Sequence, residues 1–271
     1  MNRALLVVDM QNGFCHPEGS FTRIGMGLEG ADEAVRNAAI AVGQARSAGI
    51  PVVFTRHLYR PGRADEGRAL KQNSPALAGV DGLEAGTWDA EVVAELGCGP
   101  SDLVVDKVRF DAFQWTSLEP LLRGLGVNEL AVCGVVTNIC VETTIRSAFM
   151  RDYPVTLLAD CCAAKTRRLH DLSIEVLSSY ELADIARITG GFDLVKTSLS
   201  RTSGGPPPAP PPRTGRRRAK PGGPVIPVAG PGITGAGPPG QAAGPVERVR
   251  LAVCDWPDWS SQVTAIESPG W

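Results

Sequence analysis

Short apolar runs, each closed by a polar residue, recur along the first part of the chain with helix-forming segments between them. "RALLVV" (3–8) ends at Asp9, "IPVVFTR" covers 50–56, "SDLVVDK" (101–107) ends at Lys107, and "ELAVCGV" (129–135) leads into "VTNIC". Runs that are apolar throughout, rather than alternating, suit strands buried on both faces. "YPVTLLAD" (153–160) and "DLVK" (193–196) supply two further strands. Helices are predicted over 31–49, ending on Gly49, over 117–126 with Pro120 in the first turn, over about 139–151, and near 169–187. Strands alternating with helices require crossover connections. The predicted class is therefore α/β, with a mostly parallel six-stranded sheet covered on both faces.

Residues 57–100 lack a strong period, apart from a helical candidate at "WDAEVVAEL" (88–96). A stretch of that length between two strands suits either a pocket wall or a surface excursion. From about residue 198 the composition breaks: 24 of the 45 residues between 201 and 245 are Pro or Gly. Such a segment buries too little apolar surface to offset its ordering entropy. The organisation expected is one domain over 1–197 and a disordered Pro/Gly-rich tail over 198–271. The tail's proline runs and triple Arg leave a partner-docking arm open, and its composition also matches GC-rich DNA read in an unselected frame.

Net charge is −2, with 19 Lys/Arg against 25 Asp/Glu before residue 201 and eight against four after it. Nothing global draws the chain to nucleic acid or to an anionic membrane, and no segment reaches the run of about 20 apolar residues that a spanning helix needs. The first apolar run stops at Asp9, too short for a secretory signal. Seven cysteines, scattered and odd in number, are expected as reduced thiols in a cytoplasm.

Asp9, Lys107 and Cys140 each follow a predicted strand, so all three fall at the carboxyl edge of the sheet, where open α/β folds place their ligand crevice. Cys140 is expected in the first turn of a helix, whose free N–H groups and dipole lower a thiol's pKa. Cys133, Cys161 and Cys162 lie within or beside strands and are expected to fill space as small hydrophobes. A thiol nucleophile needs a base. None of His16, His57 and His170 closes a predicted strand, but Asp9 can take the thiol proton if Lys107 lies beside both groups and steadies thiolate and carboxylate. Taken separately, Asp9 also suits a helix cap or strand-end turn and Lys107 a solvated side chain.

"LLVVDMQNGF", "VVDKVRFDAF" and "CGVVTNICVETTIRSAF" resemble the three motif blocks of the isochorismatase-like cysteine hydrolases, in order and spacing, over about residues 3–190. The resemblance implies a Rossmann-like α/β/α sandwich and an Asp–Lys–Cys triad at Asp9, Lys107 and Cys140. It also implies a non-proline cis peptide between Val135 and Val136, and an oxyanion hole formed by the Val136 and Cys140 N–H groups. Members of the family that cleave vinyl ethers lack the nucleophilic cysteine, so amide or ureido C–N cleavage is favoured here. Nicotinamidases carry an Asp-x-His pair and a later His that bind a metal. "TRHLYRPGRAD" has His57 alone, so no metal and no cofactor is expected.

The neighbouring "GLEAGTWDAEVV" and "KVRFDAFQWTSLEPLL" look closer to the ureidoacrylate and N-carbamoyl amidohydrolase branches. Arg56 or Arg60 is expected to pair with a substrate carboxylate, Phe113 and Trp115 to wall a flat acyl group, and Asn138 to contact substrate. The function expected is a cofactor-independent amidohydrolase acting on a small carboxamide or ureido substrate, oligomeric as the family commonly is. A nicotinamide- or maleamate-cleaving amidase and a non-catalytic binding member of the fold are the alternatives.

Overall fold

The computed structural model describes residues 2–73 and 75–190. Strands β1 (Arg3–Val8), β2 (Val52–His57), β3 (Leu103–Lys107), β4 (Glu129–Val135), β5 (Val155–Ala163) and β6 (Asp184–Ala186) form one sheet in the order β3-β2-β1-β4-β5-β6. Every pairing is parallel. Helices α1 (Asn12–Cys15), α2 (Ser20–Arg23), α3 (Ala31–Ser47), α4 (Gly67–Asn73), α5 (Pro75–Ala78), α6 (Leu118–Gly124), α7 (Glu142–Phe149) and α8 (Arg167–Ser179) flank it. This is the α/β class and the strand order of a doubly wound Rossmann-like fold. No helix among the described residues is long and apolar enough to cross a membrane.

The burial follows the sequence rhythm. β1 and β4 at the sheet centre are buried at every position, whereas β3 at the edge alternates between covered and exposed. The polar ends of the central strands are matched: Arg3 lies opposite Glu129 in register, and the two form a buried ion pair. Along α3 the inward residues Ala34, Val35, Ala38, Ala41, Val42 and Ala45 recur at helical spacing. Their small side chains let the helix lie close along β5. Gly49 follows with φ 67°, in the left-handed region where a helix hands over to the next strand.

Three elements differ from expectation. Residues 88–96 form two separate 3₁₀ turns, Trp88–Ala90 and Ala94–Leu96, rather than one helix. The β-branched Val92 between them is drawn into an antiparallel bridge with Gln11. α8 ends at Ser179, and Glu181 takes φ 52°. The sixth strand is therefore Asp184–Ala186, inside the stretch expected to be helical, because pairing with β5 satisfies its backbone there. The expected strand over 193–196 and the tail from 198 lie outside the described residues.

Candidate active site

The sheet order reverses between β1 and β4, and the crevice of a doubly wound sheet opens at that switch. Asp9 leaves β1 with φ 52°, a left-handed conformation uncommon outside glycine, and is fully buried. Thr55 of β2 holds it: the hydroxyl donates to Oδ1 at 2.6 Å, and the Asp9 N–H donates back to Oγ1 at 3.1 Å. The other oxygen, Oδ2, takes the Lys107 ammonium, whose Nζ lies 2.6 Å away. Lys107 starts two strands over, on β3, and its long side chain spans β2 to reach Asp9. It also donates to the Arg109 carbonyl at 2.9 Å and interacts with Cys140. Burial by itself would strip its proton, but Asp9 and Cys140 outweigh that cost and raise its pKa above the ordinary lysine value. Lys107 is an ammonium.

Cys140 sits in a π-helical turn, Thr137–Val141, one step ahead of α7. The preceding Val135–Val136 peptide is cis, as the family resemblance implies. Helix α8 clamps this turn. His170 Nδ1 lies 3.0 Å from Thr137 Oγ1, and Ser173 Oγ donates to the Thr137 carbonyl at 3.4 Å and to Glu142 Oε2 at 2.7 Å. The thiol was expected at the start of the α-helix with a lowered pKa. It precedes that helix, and burial pushes its pKa up to about 12, with Lys107 pulling down and Asp9 pushing up. Cys140 therefore holds its proton at rest. Its thiol is hydrogen-bonded to the Asp9 carboxylate. Cys133, Cys161 and Cys162 are also buried, and burial raises their pKa values first of all.

Cys140 opens onto a small cavity of about 50 Å³. Phe14, Phe21, Met26, Leu83, Phe110 and Ile139 supply much of its apolar wall, and His57, Tyr59 and Asn73 its polar lining. The segment after β2 thus does form a pocket wall. None of the expected substrate contacts lines the cavity. Arg56 points away, with its guanidinium on Asp106 at 2.8 Å and Glu91 at 3.4 Å. Arg60 is exposed, beside Asp65 at 3.8 Å. Phe113 is buried but stacks on Tyr153, and Trp115 is 75% exposed under the Arg109 guanidinium. Asn138 lies in the turn that carries Cys140, with Oδ1 buried and unpartnered.

The residue that sequence reasoning passed over is His57. β2 runs to 57, so a histidine does close a strand, in register with Lys107. Its Nδ1 lies 3.4 Å from Lys107 Nζ and its Nε2 2.9 Å from Tyr59 Oη. Ligand atoms of Asp9, His57 and Cys140 all lie within 4.8 Å of one another. A metal ion there would compete with the Lys107 ammonium, which already contacts all three groups.

The isochorismatase domain model matches residues 3–188. Ureidoacrylate amidohydrolase RutB of Variovorax paradoxus (strain S110) is 35% identical over 191 residues, 66% of this chain and 74% of its own. Among solved structures, a cysteine hydrolase from Pseudomonas syringae pv. phaseolicola 1448A superposes with a TM-score of 0.63 at 28% identity, over 70% of this chain and 90% of that one. An isochorismatase family protein from Desulfovibrio vulgaris subsp. vulgaris str. Hildenborough gives a TM-score of 0.63 at 30% identity, over 70% and 95%. Matched over most of its described length, the chain belongs to the isochorismatase family and to the amidohydrolase branch within it.

Proposed function

We propose that the protein is a cysteine-dependent amidohydrolase that cleaves the C–N bond of a small carboxamide or ureido substrate through a thioester. Asp9 Oδ2 takes the proton from Cys140 Sγ, and the thiolate attacks the carbonyl carbon in the cavity. The tetrahedral oxyanion is held by the Val136 and Cys140 N–H groups, which belong to residues that both line that cavity. As the C–N bond breaks, the leaving nitrogen takes the proton from Asp9 and departs as ammonia or an amine. Asp9 then draws a proton from water, whose oxygen attacks the thioester and frees the thiol and an acid. Lys107 stays charged throughout. It favours the thiolate and offsets the cost of an ionised Asp9 in a dry site.

The observation that carries this reading is the convergence of Asp9, Lys107 and Cys140, drawn from three strand ends, on a single buried contact cluster. Relatives named ureidoacrylate amidohydrolases support the C–N bond as the target. Cys140→Ala should abolish ammonia release while circular dichroism stays unchanged, and intact-mass measurement on the wild type should find an acyl adduct on Cys140. Turnover retained in Cys140→Ala would end the covalent mechanism.

A further inference from the structure

His57 and Tyr59 take no part in the chemistry above, yet both line the cavity beside Cys140. Their hydrogen bonds have one consistent direction. The Lys107 ammonium can only donate, so His57 Nδ1, 3.4 Å away, is the acceptor and carries no proton. The ring is neutral, its pKa held well below the ordinary histidine value by burial and then by Lys107, Arg109 and Arg63. Its proton therefore sits on Nε2 and is donated to Tyr59 Oη at 2.9 Å. Burial raises the Tyr59 pKa, so the phenol keeps its own proton. With its oxygen accepting from His57, that O–H points elsewhere, and among the described residues it has no acceptor. The cavity thus holds an oriented neutral donor awaiting a partner.

Around that donor much of the wall is hydrocarbon. Arg56 and Arg60 are engaged with Asp106 and Asp65 outside the lining, and Lys107 is committed to Asp9. A neutral oxygen or nitrogen acceptor suits a single phenolic donor. A carboxylate entering the same space would lose its hydration to a lining whose polar side chains, His57, Tyr59 and Asn73, are all neutral.

We propose that the enzyme selects a neutral, largely apolar carboxamide carrying a hydrogen-bond acceptor, that Tyr59 binds this acceptor, and that substrates bearing a carboxylate are disfavoured. His57 is the positioning residue, fixing the Tyr59 hydroxyl by accepting from Lys107 and donating onward. The inference rests on the amide-hydrolysis reading and narrows its substrate.

Binding to Cys140→Ala, followed by calorimetry, tests it without requiring turnover. The ligands are an aryl carboxamide bearing a methoxy oxygen, the same amide with ethyl in place of methoxy, and the same amide with a carboxylate there. The methoxy amide should bind about tenfold more tightly than the ethyl amide, the worth of one neutral hydrogen bond, and the carboxylate should bind most weakly. Adding Tyr59→Phe should erase the methoxy advantage. His57→Gln, whose amide can both accept and donate, should preserve most of it, and His57→Leu should lose it. Equal weakening of all three ligands in Tyr59→Phe would mean a merely structural tyrosine and overturn the assignment. A carboxylate bound as tightly as the methoxy amide would overturn the substrate class even where wild-type enzyme releases ammonia. Ammonia release missing from wild type, with the binding preference intact, would instead strike the proposed chemistry alone and leave this inference standing.

Discussion

Thr55 and Asp9 exchange two hydrogen bonds, hydroxyl to Oδ1 at 2.6 Å and N–H to Oγ1 at 3.1 Å, and so fix the orientation of the carboxylate beside Lys107 and Cys140. With Oδ1 held by Thr55 and Oδ2 by Lys107, both carboxylate oxygens are fixed in place. Thr55→Val keeps the shape and removes the donor, leaving a buried carboxylate oxygen unpaired. It should cost about 1.5–3 kcal/mol in denaturant unfolding and slow ammonia release about tenfold to a hundredfold through loss of alignment. Unchanged turnover in a stable Thr55→Val would show that Asp9 needs no such orientation.

Lys107 and Asp9 are both fully buried, so removing one charge strands the other. Lys107→Met should destabilise the fold by about 3–5 kcal/mol. Lys107→Met with Asp9→Asn, which leaves no buried charge at the pair, should recover most of that loss without recovering activity. Stability and catalysis would then separate. A double variant as unstable as the single one would count against this account.

Much of the site was legible because its chemistry falls where apolar runs stop. Asp9, Lys107 and Cys140 each sit at or a few residues past a strand end, where a polar side chain interrupts an apolar run. The substrate contacts were not legible, for a reason of strand geometry. Successive residues face opposite ways along a strand, so Arg56 and His57 lie on opposite faces of β2. His57 and, two residues on, Tyr59 line the cavity, while Arg56 pairs with Asp106 outside it. Placing β2 over 50–56 instead of 52–57 hid the histidine that closes it. The π turn at 137–141 had no sequence signature separate from the helix that follows. The strand at 184–186 lies within a helical sequence pattern, because its backbone pairing with β5 is a tertiary effect.

Buried neutral His57 and His170 make stability fall in acid. Burial lowers both pKa values in the folded state, that of His57 well below 6.5. The unfolded chain therefore takes up protons first. Stability from these rings is fully present above about pH 6.5 and is lost as pH falls below it, by up to about 1.4 kcal/mol per pH unit for each ring. His57→Gln should flatten the unfolding free energy between about pH 6.5 and 5 relative to wild type. An unchanged slope would show that His57 titrates normally in the folded protein.

Proton retention by Cys140 predicts its reactivity. With the thiol pKa pushed up to about 12, alkylation by iodoacetamide should be slow at neutral pH. It should climb about tenfold per pH unit toward that value, as the thiolate fraction does. Lys107→Gln removes the group that pulls the pKa down, so at any given pH its alkylation should be slower still. A pH-independent, rapid alkylation of Cys140 near neutrality would mean that the resting enzyme already holds a thiolate, and Asp9 would lose its role as the base for that proton.

Gly134 carries the last stability argument. It lies in β4 directly opposite Val8, one residue before the switch-point crevice, with φ 127°. A Cβ there would drive into the Val8 carbonyl oxygen and nitrogen, both backbone atoms held in the central sheet. Neither partner can move without displacing Asp9 on one strand and the Cys140 turn on the other. Gly134→Ala should therefore lose about 3–5 kcal/mol, in the range reserved for severe core and backbone clashes, and any folded remainder should release ammonia far more slowly than wild type. Unfolding by urea, monitored alongside turnover, checks both. An alanine tolerated within about 0.5 kcal/mol would mean that β1 and β4 are free to separate at the point where the site is built.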